Sequence, residues 1–375
     1  MVRTRSASSF AAMTLVALAA LLVGLQVFVH AQDDPVVAKI IQLGTTDNQV
    51  MTWNDYASNR FGGRETGSNA YTDATQWAVW QFKQWGLEAE LEEVGEVPVG
   101  FNRGPWFGKM VIPTEKALRF GTPSFTAGTK GVQRGGVVIL KADPFSIPGR
   151  ATGGQPVAKE NVEKKRAAVQ AAIVEINANK AALKNKWVLI PGNVPPATSS
   201  GFGRDGRRGT KLPDGSPEYL DAELMPPLTK ALIDAGALGT IQAAPVTAKA
   251  AQGEQPIGIL DGYAASWDKL PVLPDIKLLD SQYAEIKALV EKNQPVELEF
   301  DIRNWFKMGP IKYHNVVATI RGSQFPDEYV VIGGHYDCFS AATGGVDDGS
   351  GFAPGMEAVR LIKAAGAKPR RSIVM

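Results

Sequence analysis

The chain has 375 residues, 44% of them hydrophobic and 21% charged, which is ordinary globular composition with enough length for a large core. Forty basic against 38 acidic side chains leave a net charge of +2, so nothing in the balance draws the chain to nucleic acid or to an acidic membrane surface. A single cysteine, Cys338, excludes an intrachain disulfide, and of the three histidines only His314 and His335 lie beyond the N-terminal segment.

That segment comes first in the chain. Arg3 and Arg5 precede an uncharged stretch from Ser6 to Val29, followed by Val29-His30-Ala31 before Gln32. A basic start, an apolar centre and compact residues at the cleavage positions form a secretory signal pattern over residues 1–31. The stretch is also long enough for an uncleaved anchor. In either case the sequence predicts export, to a secreted or periplasmic location. After cleavage no stable membrane insertion is expected.

Next, Arg60 to Ser68 contains three glycines and reads as a turn leading into a helix, with Ala74, Ala78, Phe82 and Trp85 on one face and Gly86 closing it. Leu87 to Val94 reads as a strand. From residue 114 short apolar runs alternate with Gly and Pro. Val137–Leu140 and Trp187–Ile190 read as buried strands, with an Ala/Lys/Glu-rich helix over 158–183 between them. Arg204, Arg207, Arg208 and Lys211 sit among Gly, Asp and Pro and read as a solvated loop. Pro226-Pro227 is expected to open a helix with Leu228, Ala231, Leu232 and Ala235 as its stripe, followed by a strand at Gly239–Gln242. Residues 271–274 are Pro-rich and lead into a helix around Tyr283 to Val290.

Near residue 295 the pattern changes again. Val296, Leu298, Phe300 and Ile302 alternate with acidic residues, as in a half-buried strand. Asn315 to Ile320 is another strand, and Tyr329 to Ile332 reads as a strand buried on both faces. Ser350 to Ala365 is a helix with Phe352, Met356, Val359 and Ile362 inward, and Arg371 to Met375 begins a further apolar strand. The alternation predicts an α/β outer domain with a mostly parallel sheet, interrupted by an inserted domain.

The chemistry gathers at Gly333-Gly334-His335-Tyr336-Asp337-Cys338 and Gly344-Gly345-Val346-Asp347-Asp348-Gly349-Ser350-Gly351, just past a strand end, where open α/β sheets bind ligands. Histidine nitrogen and carboxylate oxygen suit zinc, and a ligating histidine commonly gives its other ring N–H to a carboxylate. Spacing alone therefore offers His335 as ligand, Asp337 as its partner and Asp347 or Asp348 as a second ligand. The same residues also read as a turn with a surface Asp pair and a helix N-cap.

The His-Tyr-Asp motif, the Gly-Gly-Val-Asp-Asp-Gly-Ser-Gly loop and the following helix with Glu357 and Arg360 resemble peptidase family 28 of clan MH. Asn315–Ala318, Gly322-Ser323 and the segment Gly63 to Ser68 are similar to further parts of that family, and Lys186–Ile190 with Ala235–Thr240 resembles a protease-associated domain. The resemblance implies an incomplete three-layer αβα zinc-peptidase sheet carrying a protease-associated insert. Its divisions are 1–31 signal peptide, 32–113 peptidase part, 114–294 insert and 295–375 peptidase part continued.

The resemblance also implies an exported exopeptidase, of aminopeptidase or carboxypeptidase type, acting on peptides with two zinc ions per complete site. In it His335 binds zinc, Asp337 orients His335, Asp347 bridges the two ions, and the Asp347–Asp348 peptide is cis. A Glu-Glu pair, a later Asp and a later His complete the family's site. The chain ends at Met375 without them, so it is expected to be C-terminally truncated and inactive alone. His314 reads as a strand residue, Glu357 as a helix-packing residue and Cys338 as a small buried side chain. A non-catalytic binding relative, or an amidohydrolase or cyclase on the same fold, remains an alternative. The insert is a candidate lid or homodimer contact.

Overall fold

The computed structural model describes residues 34–145, 147, 158–193, 220–244 and 266–375. The signal-like segment 1–31 and the basic cluster Arg204 to Lys211 lie outside them. In chain order the elements are α1 (Pro35–Thr46), α2 (Val50–Asp55), a π-turn (Tyr56–Arg60), α3 (Asn69–Gln84), β1 (Glu88–Asn102), β2 (Trp106–Ile112), β3 (Lys116–Ala117), β4 (Phe120–Gly121) and β5 (Gln133–Ile139). Then follow α4 (Lys159–Ala178), α5 (Lys180–Leu183), β6 (Lys186–Asn193), α6 (Leu220–Asp234), β7 (Gly239–Ala244), β8 (Asp275–Leu279), α7 (Asp280–Glu291) and β9 (Glu297–Ile302). The chain closes with β10 (Trp305–Ile320), β11 (Phe325–Val331), α8 (Gly349–Ala364) and β12 (Arg371–Val374).

These elements form a mixed α/β fold of two sheets, ordered β1-β10-β12-β11 and β3-β2-β9-β5-β6-β7-β8-β4. In the first, β1 and β10 run antiparallel from Glu88↔Thr319 to Asn102↔Trp305, and only β11 and β12 are parallel. This differs from the mostly parallel sheet expected for the outer part. The reason is topological: the chain leaves the sheet after Asn102 and returns at Trp305 beside it, so the flanking strands must be antiparallel.

In the second sheet β5, β6, β7 and β8 are mutually parallel, with α4 between β5 and β6 and α6 between β6 and β7. Successive residues of a strand face opposite sides. Trp187 and Leu189 accordingly pack with Ile241, Ile276, Leu298 and Phe300 on one face. Val188 and Ile190 pack with Val169, Ile176, Leu228 and Leu232 on the other. Burial on both faces accounts for the unbroken apolar run of β6. The sheet also takes in β2 and β9, which lie outside the expected insert, in the flanking segments 32–113 and 295–375.

Two further differences have local causes. Helix α6 starts at Leu220 and holds Pro226 and Pro227 in its interior rather than at its opening. Its early turns are held from outside, since both terminal guanidinium nitrogens of Arg166 on α4 donate to Glu223 and Leu224 and Met225 pack on the same core. Strand β11 is not buried on both faces: it is the sheet edge, with Tyr329, Val330 and Val331 exposed. Among the described residues no helix is long and apolar enough to cross a membrane.

Candidate active site

Strand β11 hands the chain to Gly333-Gly334-His335, and α8 begins fourteen residues later at Gly349. Between them the backbone folds so that the His335 ring lies between two carboxylates. Nδ1 is 3.0 Å from Asp337 Oδ1 and 3.0 Å from the Asp337 carbonyl oxygen. Nε2 is 2.9 Å from Asp347 Oδ1. Thr66, in the loop before α3, donates its hydroxyl to Asp337 Oδ2 at 3.1 Å, so both oxygens of that carboxylate are engaged. Ser68 caps α3 by accepting the Tyr71 N–H at 3.1 Å, which anchors the same loop.

Of the two aspartates that spacing could not separate, Asp347 is the one facing the ring. Asp348 occupies the N-cap position of α8 but makes no side-chain cap there; its Oδ2 accepts the His335 backbone N–H at 3.0 Å. The Asp347–Asp348 peptide is cis. Glycines make room for this arrangement: a Cβ at Gly334 would meet Asp348 Oδ2 at 2.5 Å, and one at Gly351 would meet Asp348 Oδ1 at 2.2 Å. Partial burial disfavours the charged ring of His335, but Asp337, Asp347 and Asp348 outweigh it and hold its pKa above the ordinary value.

A cavity of about 500 Å³ adjoins the ring, lined by Thr66, Tyr71, His335 and Asp337 at one end and by Asn315, Val316 and Val317 of β10 along a side. His314 lies on the same strand and lines the same space; its carbonyl accepts the Tyr71 hydroxyl at 2.6 Å.

Arg64 and Glu65 shape the site, although composition and spacing single out neither. The Arg64 side chain is fully buried. Nε donates to the Tyr336 carbonyl at 2.9 Å, Nη1 to those of Thr343 (2.9 Å), Ala57 (3.0 Å) and Gly62 (3.3 Å), and Nη2 to that of Gly344 (3.3 Å). The guanidinium carbon lies 5.5 Å from the ring centres of both Tyr336 and Phe352. The Arg64 main chain is paired with Cys338, donating to its Sγ at 3.1 Å and accepting from its N–H at 3.1 Å. Burial raises the pKa of the Cys338 thiol.

Glu65 Oε2 accepts from Ser340 N–H and Ser124 hydroxyl, each at 3.0 Å. Arg103 donates to the Ser340 carbonyl and hydroxyl and to Thr122. Burial pulls the Arg103 pKa down to about 10 against the nearby Glu65 charge. Ser124 and Thr122 precede β5, so these bonds join the second-sheet segment to the loop three residues past Asp337. The only signal in the sequence was the Gly63 to Ser68 segment as a whole.

Glu357 lies away from the ring. It is buried and accepts from Gln49 N, Trp53 Nε1, and Nε and Nη2 of Arg360, as a packing residue of α8. Among the described residues no set of three or more His, Cys, Asp or Glu side chains is arranged to hold a metal ion.

The segment carrying His335 and Asp347 has known relatives. Residues 315–375 match the model of peptidase family M28. Carboxypeptidase Q of Xenopus laevis is 38% identical over 72 residues, 18% of this chain and 15% of that protein. A probable zinc metalloprotease of Pyrenophora teres f. teres (strain 0-1) is 41% identical over 73 residues, covering 17% and 15%. The chain thus spans about 15% of the length of the curated relatives it matches. A peptidase M28 precursor from Shewanella amazonensis SB2B, solved by crystallography, aligns over 92% of this chain and 66% of its own, with 18% identity and a TM-score of 0.48. Residues 315–375 thus resemble peptidase family M28.

Proposed function

We propose that this protein is an exported, zinc-dependent exopeptidase, with His335 and Asp347 as two of its metal ligands and Asp337 as the residue that orients His335. The observation that carries the reading is the approach of His335 Nε2 to within 2.9 Å of Asp347 Oδ1, with Nδ1 held by Asp337. Ligand atoms of a tetrahedral zinc lie about 3.3 Å apart, so a small outward shift suits this pair to the ion. Zinc when bound supplies a bound water of lowered pKa and polarises the scissile carbonyl.

The chain's own residues prepare that chemistry. Asp337 holds the imidazole proton on Nδ1, which leaves the Nε2 lone pair directed toward Asp347. Thr66 fixes the Asp337 carboxylate, and Asp348 fixes the His335 backbone. In this reading the complete site holds two zinc ions with Asp347 between them, and its substrate is a peptide. Residues 1–31 support export by their signal pattern, and residues 114–294, which supply most strands of the second sheet, are a protease-associated insert serving as a lid or homodimer contact.

A second reading, a binding relative without catalysis, is favoured by one observation: the described residues bring together only two donors facing each other. The experiment is zinc titration of the protein and of His335→Ala and Asp347→Asn, with assays on peptides free at either end, acylated amino acids and N-terminal glutamine substrates. In the full-length protein, zinc-dependent trimming of peptides, lost in both variants, is expected. Zinc binding without cleavage of any peptide would leave the binding relative, and turnover of only the last two substrate classes would make it an amidohydrolase or cyclase.

A further inference from the structure

We propose that Arg64 is a positioning residue whose guanidinium sets the separation between the His335–Asp337 turn and the loop bearing Asp347, and through it the affinity of that pair for zinc. The inference rests on the zinc reading above. Nε holds the carbonyl of Tyr336, the residue between His335 and Asp337. Nη1 and Nη2 hold those of Thr343 and Gly344, three residues short of Asp347. The remaining bonds, to Ala57 and Gly62, fasten the fork to the π-turn segment. The guanidinium carbon lies 5.5 Å from the ring centre of Phe352, four residues past Asp348. One planar, always-charged fork thus touches both stretches of backbone that carry the candidate ligands.

Two observations separate this role from general stabilisation. Among the described residues no carboxylate forms an ion pair with Arg64, so the cation is held by carbonyl oxygens of the two site loops and of the π-turn segment. The main chain of Arg64 is independently paired to Cys338, so a shortened side chain leaves that backbone register in place. Lysine keeps the charge but offers one nitrogen, which cannot span carbonyls on three segments.

The sign of the effect is diagnostic. On Coulomb grounds alone, removing a buried cation near a divalent ion should tighten binding, because it relieves repulsion. Loss of positioning should weaken it.

The test titrates zinc chloride calorimetrically into the full chain as wild type, Arg64→Lys, Arg64→Gln, His335→Ala, Asp347→Asn and Leu298→Ala, the last a core change in the second sheet. Arg64→Lys and Arg64→Gln should weaken zinc by about ten- to a hundredfold, as loss of a ligand's supporting partner does, whereas Leu298→Ala should lower the melting temperature without changing affinity. In the metal-free protein, Arg64→Lys should speed hydrogen exchange across 335–348 and thiol labelling of Cys338, with exchange in β6 and β7 unchanged. Wild-type zinc affinity in Arg64→Lys, tighter binding in Arg64→Gln, or unchanged exchange across 335–348 overturns the proposal. If His335→Ala and Asp347→Asn leave zinc binding intact, the zinc reading itself fails. The exchange and labelling results then decide the role of Arg64: faster in Arg64→Lys supports it, and unchanged overturns it.

Discussion

The indole N–H of Trp53 donates to Glu357 Oε2 at 2.8 Å, joining α2 to α8 across 304 positions of the chain. The other carboxylate oxygen takes the Gln49 backbone N–H at 2.9 Å, and Arg360 grips both oxygens. Arg360 in turn reaches Asp47, so one buried acid ties the N-terminal helices to the helix behind the candidate site.

Replacing Glu357 with Ala would strand four donor nitrogens on three residues, two of them on a largely buried guanidinium. The expected loss is about 3–5 kcal/mol of folding stability, measured by urea unfolding followed through tryptophan fluorescence. A loss below about 1 kcal/mol, the range of an exposed ion pair, would contradict the geometry described.

Acid should undo the same contact. Burial works against the Glu357 charge, but bonds from Arg360, Trp53 and Gln49 outweigh it and hold its pKa below the ordinary glutamate range. A depressed carboxylate contributes stability that is complete above its unfolded value, about 4.3, and that fades as pH falls through the folded one. Asp47 is depressed in the same direction by Arg360. The slope of unfolding free energy against pH below about 4.3 should therefore be shallower in Glu357→Gln than in wild type.

His335 should titrate the opposite way. Its folded pKa is raised, so its contribution is complete below about pH 6.5 and declines as pH climbs through the raised value. In protein stripped of metal by a chelator, the ring-proton resonance of His335 should show a midpoint above about 6.5, and Asp347→Asn should lower it. An unmoved midpoint in that variant would argue against the Nε2 contact.

Gly351→Ala should cost about 1–3 kcal/mol by overpacking, because the new methyl meets both Asp348 oxygens. Amide exchange at His335 should quicken as Asp348 is pushed off its N–H. Ser350→Ala, which loses only the hydroxyl bond from α8 back to the Val346 carbonyl, should leave that amide as it was.

Much of this architecture was legible locally. The alternation from Val296 to Ile302 marked β9, and its Leu298, Phe300 and Ile302 are buried. The stripe of α8 was legible too, because helical period and apolar side chains are written in consecutive residues. What could not be read depended on partners far along the chain. The composition of Tyr329 to Ile332 specifies a strand, but whether neighbours cover it is a property of the sheet, and here it is the edge. Trp106–Ile112 and Asp275–Leu279 went unrecognised as strands because their pairing with β9 and β7 defines them more than their own pattern does. In the site, His335, Asp337 and Asp347 lie within thirteen residues and announced themselves by motif. Arg64 and Thr66 act from some 270 positions away, and no local pattern records a bond of that span.

The pairing of Asn102 with Trp305 has one more consequence. The residues flanking the second-sheet segment face each other across one rung of an antiparallel ladder, a separation of about 5 Å. A cassette with such ends can be gained, lost or exchanged in evolution while the ladder on its far side keeps its register. The same architecture invites a protein engineer to replace residues 103–304 with a two-residue hairpin turn and ask whether β1 and β10 still close.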